Sequence, residues 1–400
     1  MPGGYQPDAS SVGSVQDAVP TRMAICCIVL SLGWNDVLNW RSRRQRLHRP
    51  DADPTGVVRA LAGVQAQVTA SAEQAVGART PLPDPAPLRA AVADRRLVKT
   101  WAARGTLHLL DAAEAPAHLA LLAAARTWEK GAWQRTFVTA DQLAKIAAAA
   151  WDILDGTVLS RDELTTAIVE HAADPSIEEH LRSGWGSVLK PLAWQGLLVY
   201  GPSTDNRVTF TRPDTFVPGW TAPPTPESAA EVVIPSYLGA YGPASPATFD
   251  QWLIRGHSKK AQLKAWFAAL TSAGVLSRVD VDGEVLYART EDLASLADPE
   301  PFDEVRLLPA FDQFVLGPGT SDARVIPPAR RAEISRTAGW IAPVIAYRGR
   351  VCGTWERAEA GVVVNVFPEQ GPLPALDAEI ARVAQAPGTA ATSSDSRNST

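Results

Sequence analysis

The feature that most constrains this fold is an order of elements that occurs three times, in which helices are followed by a two-stranded hairpin. The first hairpin turns at Arg104-Gly105, the second between Tyr200 and Arg207, and the third at Asp282-Gly283. Asp-Gly is a strong signal for a two-residue hairpin turn. The hairpins begin near residues 99, 198 and 275. This loose period predicts three tandem winged-helix units.

Local signals predict where several helices begin and end. Asp53-Pro54 opens a helix, because Asp caps helix N-termini and Pro suits the first turn. Ser160 and Glu163 have the spacing of a capping box, and Ser258 is expected to cap a later helix. Pro191 lies inside a predicted helix over 185–197, which implies a kink or a late start.

After residue 303 the pattern changes to strands, which are predicted over 305–317, 341–347, 351–355 and 362–367. The predicted fold class is therefore α+β, with three tandem winged-helix units followed by a small β-rich, barrel-like C-terminal domain. The expected divisions are a loosely ordered leader (1–32), winged helix 1 with the Gln-x-Gln motif (33–135), winged helix 2 (136–225), winged helix 3 (226–300), the β-rich domain (301–384) and a disordered tail (385–400).

Composition limits the possible partners. The chain has 400 residues and a formal net charge of −5, so any DNA contact must come from a local basic surface. Two clusters are candidates, although each could be a solvated helix face: Arg41, Arg43, Arg44 and Arg46, and Arg95, Arg96, Lys99 and Arg104. The apolar run over 23–32 is short for a membrane span, so no membrane partner is expected.

Cysteine and histidine usage favours a reducing cytoplasm and no metal site. Cys26 and Cys27 are adjacent and Cys352 is distant, which is neither a disulfide framework nor a metal-ligand spacing. The six His residues are scattered and form no ligand pair. We therefore expect a cytoplasmic protein without a metal or other cofactor.

The segment Gly63-Val64-Gln65-Ala66-Gln67 places two uncharged amides two residues apart. In extended backbone this spacing points both side chains to one face. An amide cannot titrate, so Gln65 and Gln67 could only orient a group such as a water or a base edge. The alternative is that both cap backbone groups at a helix end.

Several motifs together resemble the bacterial winged-helix DNA glycosylase family typified by AlkZ. They are the Gln-x-Gln segment, residues 97–110 with Trp101, Arg104, Gly105 and His108, the stretch Leu307-Leu-Pro-Ala-Phe311-Asp312, and residues 339–355. The resemblance covers about residues 33 to 380. The long motif over 97–110 is specific, whereas the Gln pair alone would be weak.

The resemblance implies three winged helices, a C-terminal β domain and monofunctional excision of alkylated bases. AlkZ-type members unhook interstrand crosslinks that an antibiotic makes at guanine N7, and relatives with an acidic residue at the second motif position act on simpler N-alkylated purines. Gln67 associates this chain with the Gln-x-Gln branch. The resemblance therefore implies that Gln65 and Gln67 are catalytic and that the partner is double-stranded DNA carrying alkylated guanine.

The chemistry is consistent with two amides. Alkylation at N7 makes guanine cationic and its glycosidic bond labile, so a held water and a stabilised oxocarbenium ion are more important than acid catalysis. Neutral lesions should be excised poorly. Because a crosslinked base cannot flip fully, the chemistry must take place at the duplex, in a channel lined by the wings.

We expect DNA contacts from six residues: Arg95, Arg96, Lys99, Arg104, Arg41 and Arg44. Lys99 and Arg104 are placed on phosphates at the first wing, with Arg95 and Arg96 on the preceding helix. The pocket candidates are His108, Trp101 and Asp312. For His108 a core position is preferred to the pocket, and for Asp312 a structural turn role is preferred to a catalytic one. Lys99 could in principle form a Schiff base.

Two functions remain open from the sequence. The first is a monomeric, monofunctional DNA glycosylase for bulky N7-alkylguanine adducts, including antibiotic-derived crosslinks, that serves self-resistance and repair. The second is a non-catalytic winged-helix protein that binds DNA as a regulator or a sensor of drug–DNA adducts.

Overall fold

The structure is a computed structural model that describes residues 30–49, 53–182, 186–203, 207–359 and 361–385. Its helices and strands form an α+β fold, as predicted. The predicted leader as far as residue 29 and the predicted tail from residue 386 lie outside the described residues. In the part of the chain that the structure describes, no helix is long and apolar enough to cross a membrane.

The described chain begins with a strand and a helix. Strand β1 (Ser31–Leu32) precedes α1 (Trp34–Arg44), whose N-cap is Gly33. The predicted leader boundary at residue 32 was thus too late, because Ser31 and Leu32 pair with a strand far along the chain.

Repeat 1 (residues 54–111) contains the Gln-x-Gln segment. Its elements are α2 (Pro54–Ala60), β2 (Val64–Gln65), α3 (Thr69–Gly77), α4 (Ala86–Ala93), β3 (Leu97–Trp101) and β4 (Leu107–Asp111). Asp53 caps α2 as predicted, since its carboxylate accepts from the backbone N–H groups of Thr55 and Gly56. The three strands form a sheet in the order β2-β4-β3. Two helices, α5 (Ala115–Ala124) and α6 (Gly131–Thr136), lead to the next repeat.

Repeat 2 (residues 140–211) has the same strand order. Its elements are α7 (Ala140–Ile153), β5 (Val158–Ser160), α8 (Arg161–Ala172), α9 (Glu178–Arg182), α10 (Leu189–Trp194), β6 (Val199–Tyr200) and β7 (Thr209–Thr211), and its sheet runs β5-β7-β6. The Ser160 and Glu163 capping box is confirmed. Helix α10 starts later than predicted, so that Pro191 lies in its first turn, where proline breaks no helical hydrogen bond.

Repeat 3 (residues 226–289) follows the short helix α11 (Pro213–Phe216). It contains α12 (Pro226–Tyr241), α13 (Pro246–Ile254), α14 (Lys260–Ser272), β8 (Leu276–Val281) and β9 (Glu284–Arg289). A bridge between Ala244 and Tyr287 stands where the other repeats have a first strand, and β1 pairs in parallel with β8. The predicted Ser258 cap was wrong, because Lys259 is the N-cap of α14 and its side chain makes no capping bond.

The C-terminal region follows α15 (Leu293–Ala297). It contains β10 (Arg306–Leu308), α16 (Gln313–Leu316), α17 (Arg331–Ile334), β11 (Val344–Tyr347), β12 (Arg350–Ala358), β13 (Gly361–Val366) and α18 (Leu376–Gln385). Its four strands form an open sheet in the order β10-β11-β12-β13, and the described residues contain no closed barrel. The strand predicted over 305–317 ends at Leu308, because Pro309 lacks an N–H and Asp312 caps α16.

Helix α12 lies at the centre of the molecule. It packs against α5, and its tyrosines Tyr237 and Tyr241 are fully buried. The Tyr241 hydroxyl donates to the Leu61 carbonyl oxygen at 2.7 Å, and the Tyr237 hydroxyl donates to the Gly317 carbonyl oxygen at 3.2 Å. Since buried hydroxyls need partners, these bonds connect α12 to repeat 1 and to the C-terminal region.

A buried ion pair joins repeat 1 to the C-terminal region. The Arg79 guanidinium donates to both carboxylate oxygens of Asp312 at 2.7 and 2.8 Å, and both side chains are 0% exposed. Arg79 also donates to the carbonyl oxygens of Gln45 and Ala75. Asp312 in turn accepts from the Phe314 N–H at the start of α16. The pair is thus fully hydrogen-bonded, as a buried charge pair requires.

We expect Asp312→Ala to lower the free energy of unfolding by ~3–5 kcal/mol, because it leaves the Arg79 guanidinium buried without its carboxylate. Urea denaturation with circular dichroism measures this change. The control is Asp303→Ala, which breaks an Arg–Asp pair with Arg348 whose two side chains are both more than half exposed. Equal destabilisation by the two variants would contradict the role given to the buried pair.

Candidate active site

The two glutamines lie where the short strand β2 leaves the sheet of repeat 1. Gln65 pairs directly with His108 on β4, and the Ala66 N–H donates to the Leu107 carbonyl oxygen at 2.7 Å. Gln65 is buried, with 7% of its surface exposed, whereas Gln67 is exposed. The segment therefore runs from the sheet to the surface within three residues.

Glycine is required at the start of this segment. Gly63 has φ +103°, and a Cβ atom there would lie 2.7 Å from the Leu110 side chain and 3.3 Å from the Leu109 carbonyl oxygen. No L-residue with a side chain adopts this backbone without strain. Gly63 thus lets the chain turn from α2 into β2 close against β4, which sets the position of Gln65.

Each amide oxygen faces a group that can only donate. Oε1 of Gln65 accepts from Nη2 of Arg104, and Oε1 of Gln67 accepts from the Leu107 N–H, both at 3.4 Å. Because a guanidinium and a backbone N–H cannot accept, these contacts orient both amides. Each oxygen keeps a second lone pair, and each NH₂ group can still donate. The arrangement can orient a water molecule but cannot take a proton from it.

His108 lies beside Gln65 and is 1% exposed. Its Nδ1 is 3.0 Å from the Thr106 carbonyl oxygen, so Nδ1 carries the proton and donates. Burial, assisted by the nearby Arg104 charge, lowers the pKa of His108 to about 3. Its buried Nε2 atom has no hydrogen-bond partner among the described residues. His108 is therefore a neutral imidazole whose free lone pair points into the protein near the Gln pair.

Arg104 connects Gln65 to a cleft of about 240 Å³. It lies in the turn between β3 and β4 with φ 59°, in the left-handed region that side chains rarely adopt. Burial, with a smaller contribution from the charge of Arg255, lowers the pKa of Arg104 to about 10. Residues from all three repeats and the connection before repeat 2 line the cleft, among them Arg104, Trp133, Phe137, Lys190, Trp194 and Arg255.

Of the candidates on β3, Trp101 and Lys99 pack against repeat 2. Trp101 is buried, and its ring centroid lies 5.0 Å from that of Tyr200 and 5.9 Å from that of Phe210. Its predicted pocket position is therefore corrected to the core between repeats 1 and 2. Lys99 is half-buried, with Nζ 3.5 Å from Thr69 Oγ1 and 5.8 Å from the Tyr200 ring centroid. Burial lowers the pKa of Lys99.

Arg95 and Arg96 follow α4 rather than lying on it, which corrects their predicted position. Arg95 is exposed, and its guanidinium lies 4.6 Å from the Phe216 ring centroid. Arg96 donates to Thr55 Oγ1 at 2.8 Å and lies 3.8 Å from Asp53. Arg95 remains accessible to a phosphate, whereas Arg96 supports the start of α2.

Arg41 and Arg44 face repeat 3; the predicted DNA contact of Arg41 is wrong because its side chain is buried, whereas Arg44 stays partly exposed and its DNA contact stays a prediction. Arg41 is 5% exposed and donates to the carbonyl oxygens of Gly242 and Pro243. Arg44 donates to the Gly239 carbonyl oxygen at 3.0 Å and lies 3.7 Å from Asp292. Helix α1 packs against α12, and the sequence did not indicate which face of α1 would be covered.

A second, larger cleft of about 730 Å³ lies near α1. Arg43, Arg44 and Arg59 line it, together with the carboxylates Glu114 and Glu300. Its charges are mixed, and neither Gln65 nor Gln67 is among the residues that line this cleft or the cleft at Arg104, which reaches Gln65 only through Arg104. Asp312 is also absent from both clefts, since it is bonded to Arg79. The described residues contain no group of three His, Cys, Asp or Glu side chains that could hold a metal ion.

Sequence reasoning missed Lys190 and Arg255, which line the cleft beside Arg104. One local signal could have found Arg255. Arg104-Gly105 and Arg255-Gly256 are both Arg-Gly pairs with positive φ in each residue. No local pattern marks Lys190, which reaches the cleft from α10.

Comparisons with known proteins agree on one family. The family model described as DNA glycosylase AlkZ-like matches residues 58–388. A protein of Streptomyces sahachiroi named interstrand DNA cross-link repair glycosylase is 45% identical over 364 residues, which cover 90% of this chain and 98% of that protein. The solved structure of Streptomyces sahachiroi DNA glycosylase AlkZ superposes with a TM-score of 0.84 and 45% identity, covering 89% of this chain and 97% of that one.

The buried histidines predict how stability depends on pH. Burial lowers the pKa of His108 to about 3 and that of His118 to about 4, while an unfolded histidine titrates near ~6.5. Below that value the unfolded state binds more protons than the folded state, so the free energy of unfolding falls as pH falls from 6.5 towards 4. Each histidine contributes a slope of up to ~1.4 kcal/mol per pH unit.

Urea denaturation between pH 7.5 and 5 measures this slope. His108→Gln and His118→Gln should each make it shallower, because each removes a buried imidazole whose pKa is lowered in the folded state. If the free energy of unfolding of the His108→Gln and His118→Gln variants fell as steeply with pH as that of the unaltered protein, the two histidines would not be buried neutral imidazoles.

Proposed function

This chain belongs to the AlkZ-like DNA glycosylase family, and from that premise we propose that it hydrolyses the N-glycosidic bond of bulky N7-alkylguanine adducts. Its substrates include interstrand crosslinks, for which the named relative supplies the precedent. Antibiotic-derived crosslinks are the proposed natural source, and self-resistance is the proposed purpose. The enzyme works as a monomer on double-stranded DNA in the cytoplasm.

We propose that repeats 1, 2 and 3 are winged helices, within divisions at about 33–135, 136–225 and 226–300. The support is a shared topology: in repeats 1 and 2 the central strand of the sheet is the last along the chain, and in repeat 3 the last strand, β9, lies between β8 and the bridge at Ala244. The region over 301–384 is then a separate β-containing domain. Winged helices bind duplex DNA through a helix and a hairpin, so three of them can form a continuous surface for the duplex.

The single observation that carries the proposal is the pair of oriented amides on Gln65 and Gln67. Their free lone pairs can hold one water for attack on the sugar. An ionisable base contributes ~10²–10⁴-fold to proton transfer, which an amide cannot supply in full. A cationic N7-alkylguanine departs as a neutral base and does not need that assistance. The chemistry available from Gln65 and Gln67 therefore matches a cationic, labile substrate.

The proposed reaction is monofunctional, with water as the nucleophile. A lyase step would need an amine at the sugar. Lys99 is the amine on the first hairpin, and its Nζ is directed to Thr69 and the Tyr200 ring. The product is accordingly an intact strand with an abasic site.

We expect the double variant Gln65→Ala, Gln67→Ala to lose base release while retaining DNA binding. The maximal single-turnover rate on an N7-alkylguanine duplex should fall at least ~10²-fold, the effect of removing one well-placed polar group from an active site. The dissociation constant for the same duplex, measured by fluorescence anisotropy, should stay unchanged.

The control is Gln370→Ala, which removes a half-buried amide in the C-terminal region. It should leave both the rate and the affinity as they are. If the double variant released the base at the normal rate, the catalytic role of the amides would be wrong. If the unaltered protein bound the adduct duplex and released no base, the non-catalytic DNA-binding function would replace this proposal.

A further inference from the structure

One cation from each repeat reaches the cleft beside Gln65. Arg104 comes from the hairpin turn of repeat 1, Lys190 from α10 of repeat 2, and Arg255 from the end of α13 in repeat 3. A Cβ atom built on Gly105 would lie 3.9 Å from Cδ of Lys190 and 3.8 Å from the Trp194 ring, so the first two repeats meet closely here. The turn over Ala103–Gly105 also packs against α13.

The charges of this cleft are uncompensated. No Asp or Glu is among the described residues that line it. With the described residues, Lys190 and Arg255 make no ion pair or side-chain hydrogen bond. The only side-chain hydrogen bond that Arg104 makes with them is its 3.4 Å bond to Gln65. The buried Nη1 atom of Arg104 has no partner. Buried donors that lack partners are rare in proteins and indicate an absent acceptor.

The charge of Arg255 opposes the other two cations. Arg255 contributes to the lowered pKa of both Arg104 and Lys190, after the larger effect of burial. Arg104 and Arg255 have left-handed backbone, with φ 59° and 56°, where a residue with a side chain is disfavoured. Like charges held together in a cleft whose described lining residues include no carboxylate favour an anionic ligand.

We propose that Arg104, Lys190 and Arg255 bind one phosphodiester of the DNA strand that carries the lesion. The cleft cannot suit a cationic N7-alkylguanine, because three positive charges would repel it. A phosphate offers several acceptor oxygens to guanidinium and ammonium donors, which is the commonest basis of DNA backbone contacts. The half-buried Trp133 and Phe137 and the buried Trp194 form walls that limit water, which strengthens the charge interactions.

The location beside Gln65 gives this phosphate a second effect. Arg104 touches Gln65, so without an anion its charge would disfavour the cationic sugar that develops as the glycosidic bond breaks. A phosphodiester in the cleft offsets that charge next to the reaction. This second effect rests on the proposed glycosylase function, whereas the phosphate contact itself does not.

The test is the salt dependence of binding to an undamaged duplex. The logarithm of the binding constant falls with the logarithm of salt concentration with a slope of about −0.9 for each phosphate neutralised. We expect Lys190→Gln with Arg255→Gln to make the slope shallower by about 0.9 and to weaken binding about tenfold at low salt. Because Lys190 and Arg255 share one phosphate, Lys190→Gln alone or Arg255→Gln alone should already cause most of the change in slope and in affinity.

Two further variants keep the result interpretable. Lys145→Gln removes one exposed charge from α7 and should leave the slope unchanged. The exchange Lys190→Arg with Arg255→Lys keeps both charges and should keep the slope, and thermal melting shows that each variant is folded. A normal slope and affinity in the folded Lys190→Gln, Arg255→Gln variant would overturn the proposal.

Base release on an N7-alkylguanine duplex distinguishes this proposal from the function on which part of it rests. Suppose that the unaltered protein releases no base but the Lys190→Gln, Arg255→Gln variant has a shallower salt dependence of binding. The phosphate site then stands and the glycosylase proposal fails. If base is released and the variant binds like the unaltered protein, the phosphate site fails alone. We also expect the Lys190→Gln, Arg255→Gln variant to have a lower maximal rate of base release at saturating protein. An unchanged rate would contradict the proposed effect of the bound phosphate on the reaction.

Discussion

The position of the Gln pair depends on the buried bond between Arg79 and Asp312. Arg79 follows α3, and its guanidinium connects the end of α1, the end of α3 and the start of α16. At the other side of the Gln-x-Gln segment, Tyr241 holds the Leu61 carbonyl oxygen at the end of α2. The helix before the segment and the helix after it are thereby each fixed to a distant part of the chain. Such support keeps catalytic groups in place.

Local features of the fold could be predicted from the sequence, since their causes lie within a few residues. Asp53 capping α2, the capping box of Ser160 and the turn at Asp282-Gly283 are examples. The strand expected over 305–317 failed for an equally local reason, because Pro309 interrupts it. The burial of Arg41 could not be predicted, since it depends on how α1 packs against α12. The sequence did not predict helix α18, whose Glu379 forms an ion pair with the distant Arg49.

The candidate site could be predicted only in part, because packing between distant parts of the chain is not a local property of the sequence. Gln65 and His108 pair in one sheet, Gln67 follows β2, and Arg104 lies in the turn between β3 and β4, so motif spacing brought the four together. Lys190 and Arg255 come from separate repeats and meet Arg104 only through packing. The net charge of −5 describes the whole chain and conceals a cleft whose charged side chains are all cationic. A chain of negative net charge can in this way present a local surface for DNA.

Two amides and a held water should suffice to release a cationic base. The most direct measurement is an incubation of a duplex carrying one defined N7-alkylguanine, with and without the protein, followed by gel analysis with and without mild alkali. We expect the strand to stay intact without alkali and to be cleaved at the adduct after it, well above the protein-free sample, because an abasic site has formed. A bound duplex with no more cleavage after alkali than the protein-free sample would contradict the proposed mechanism.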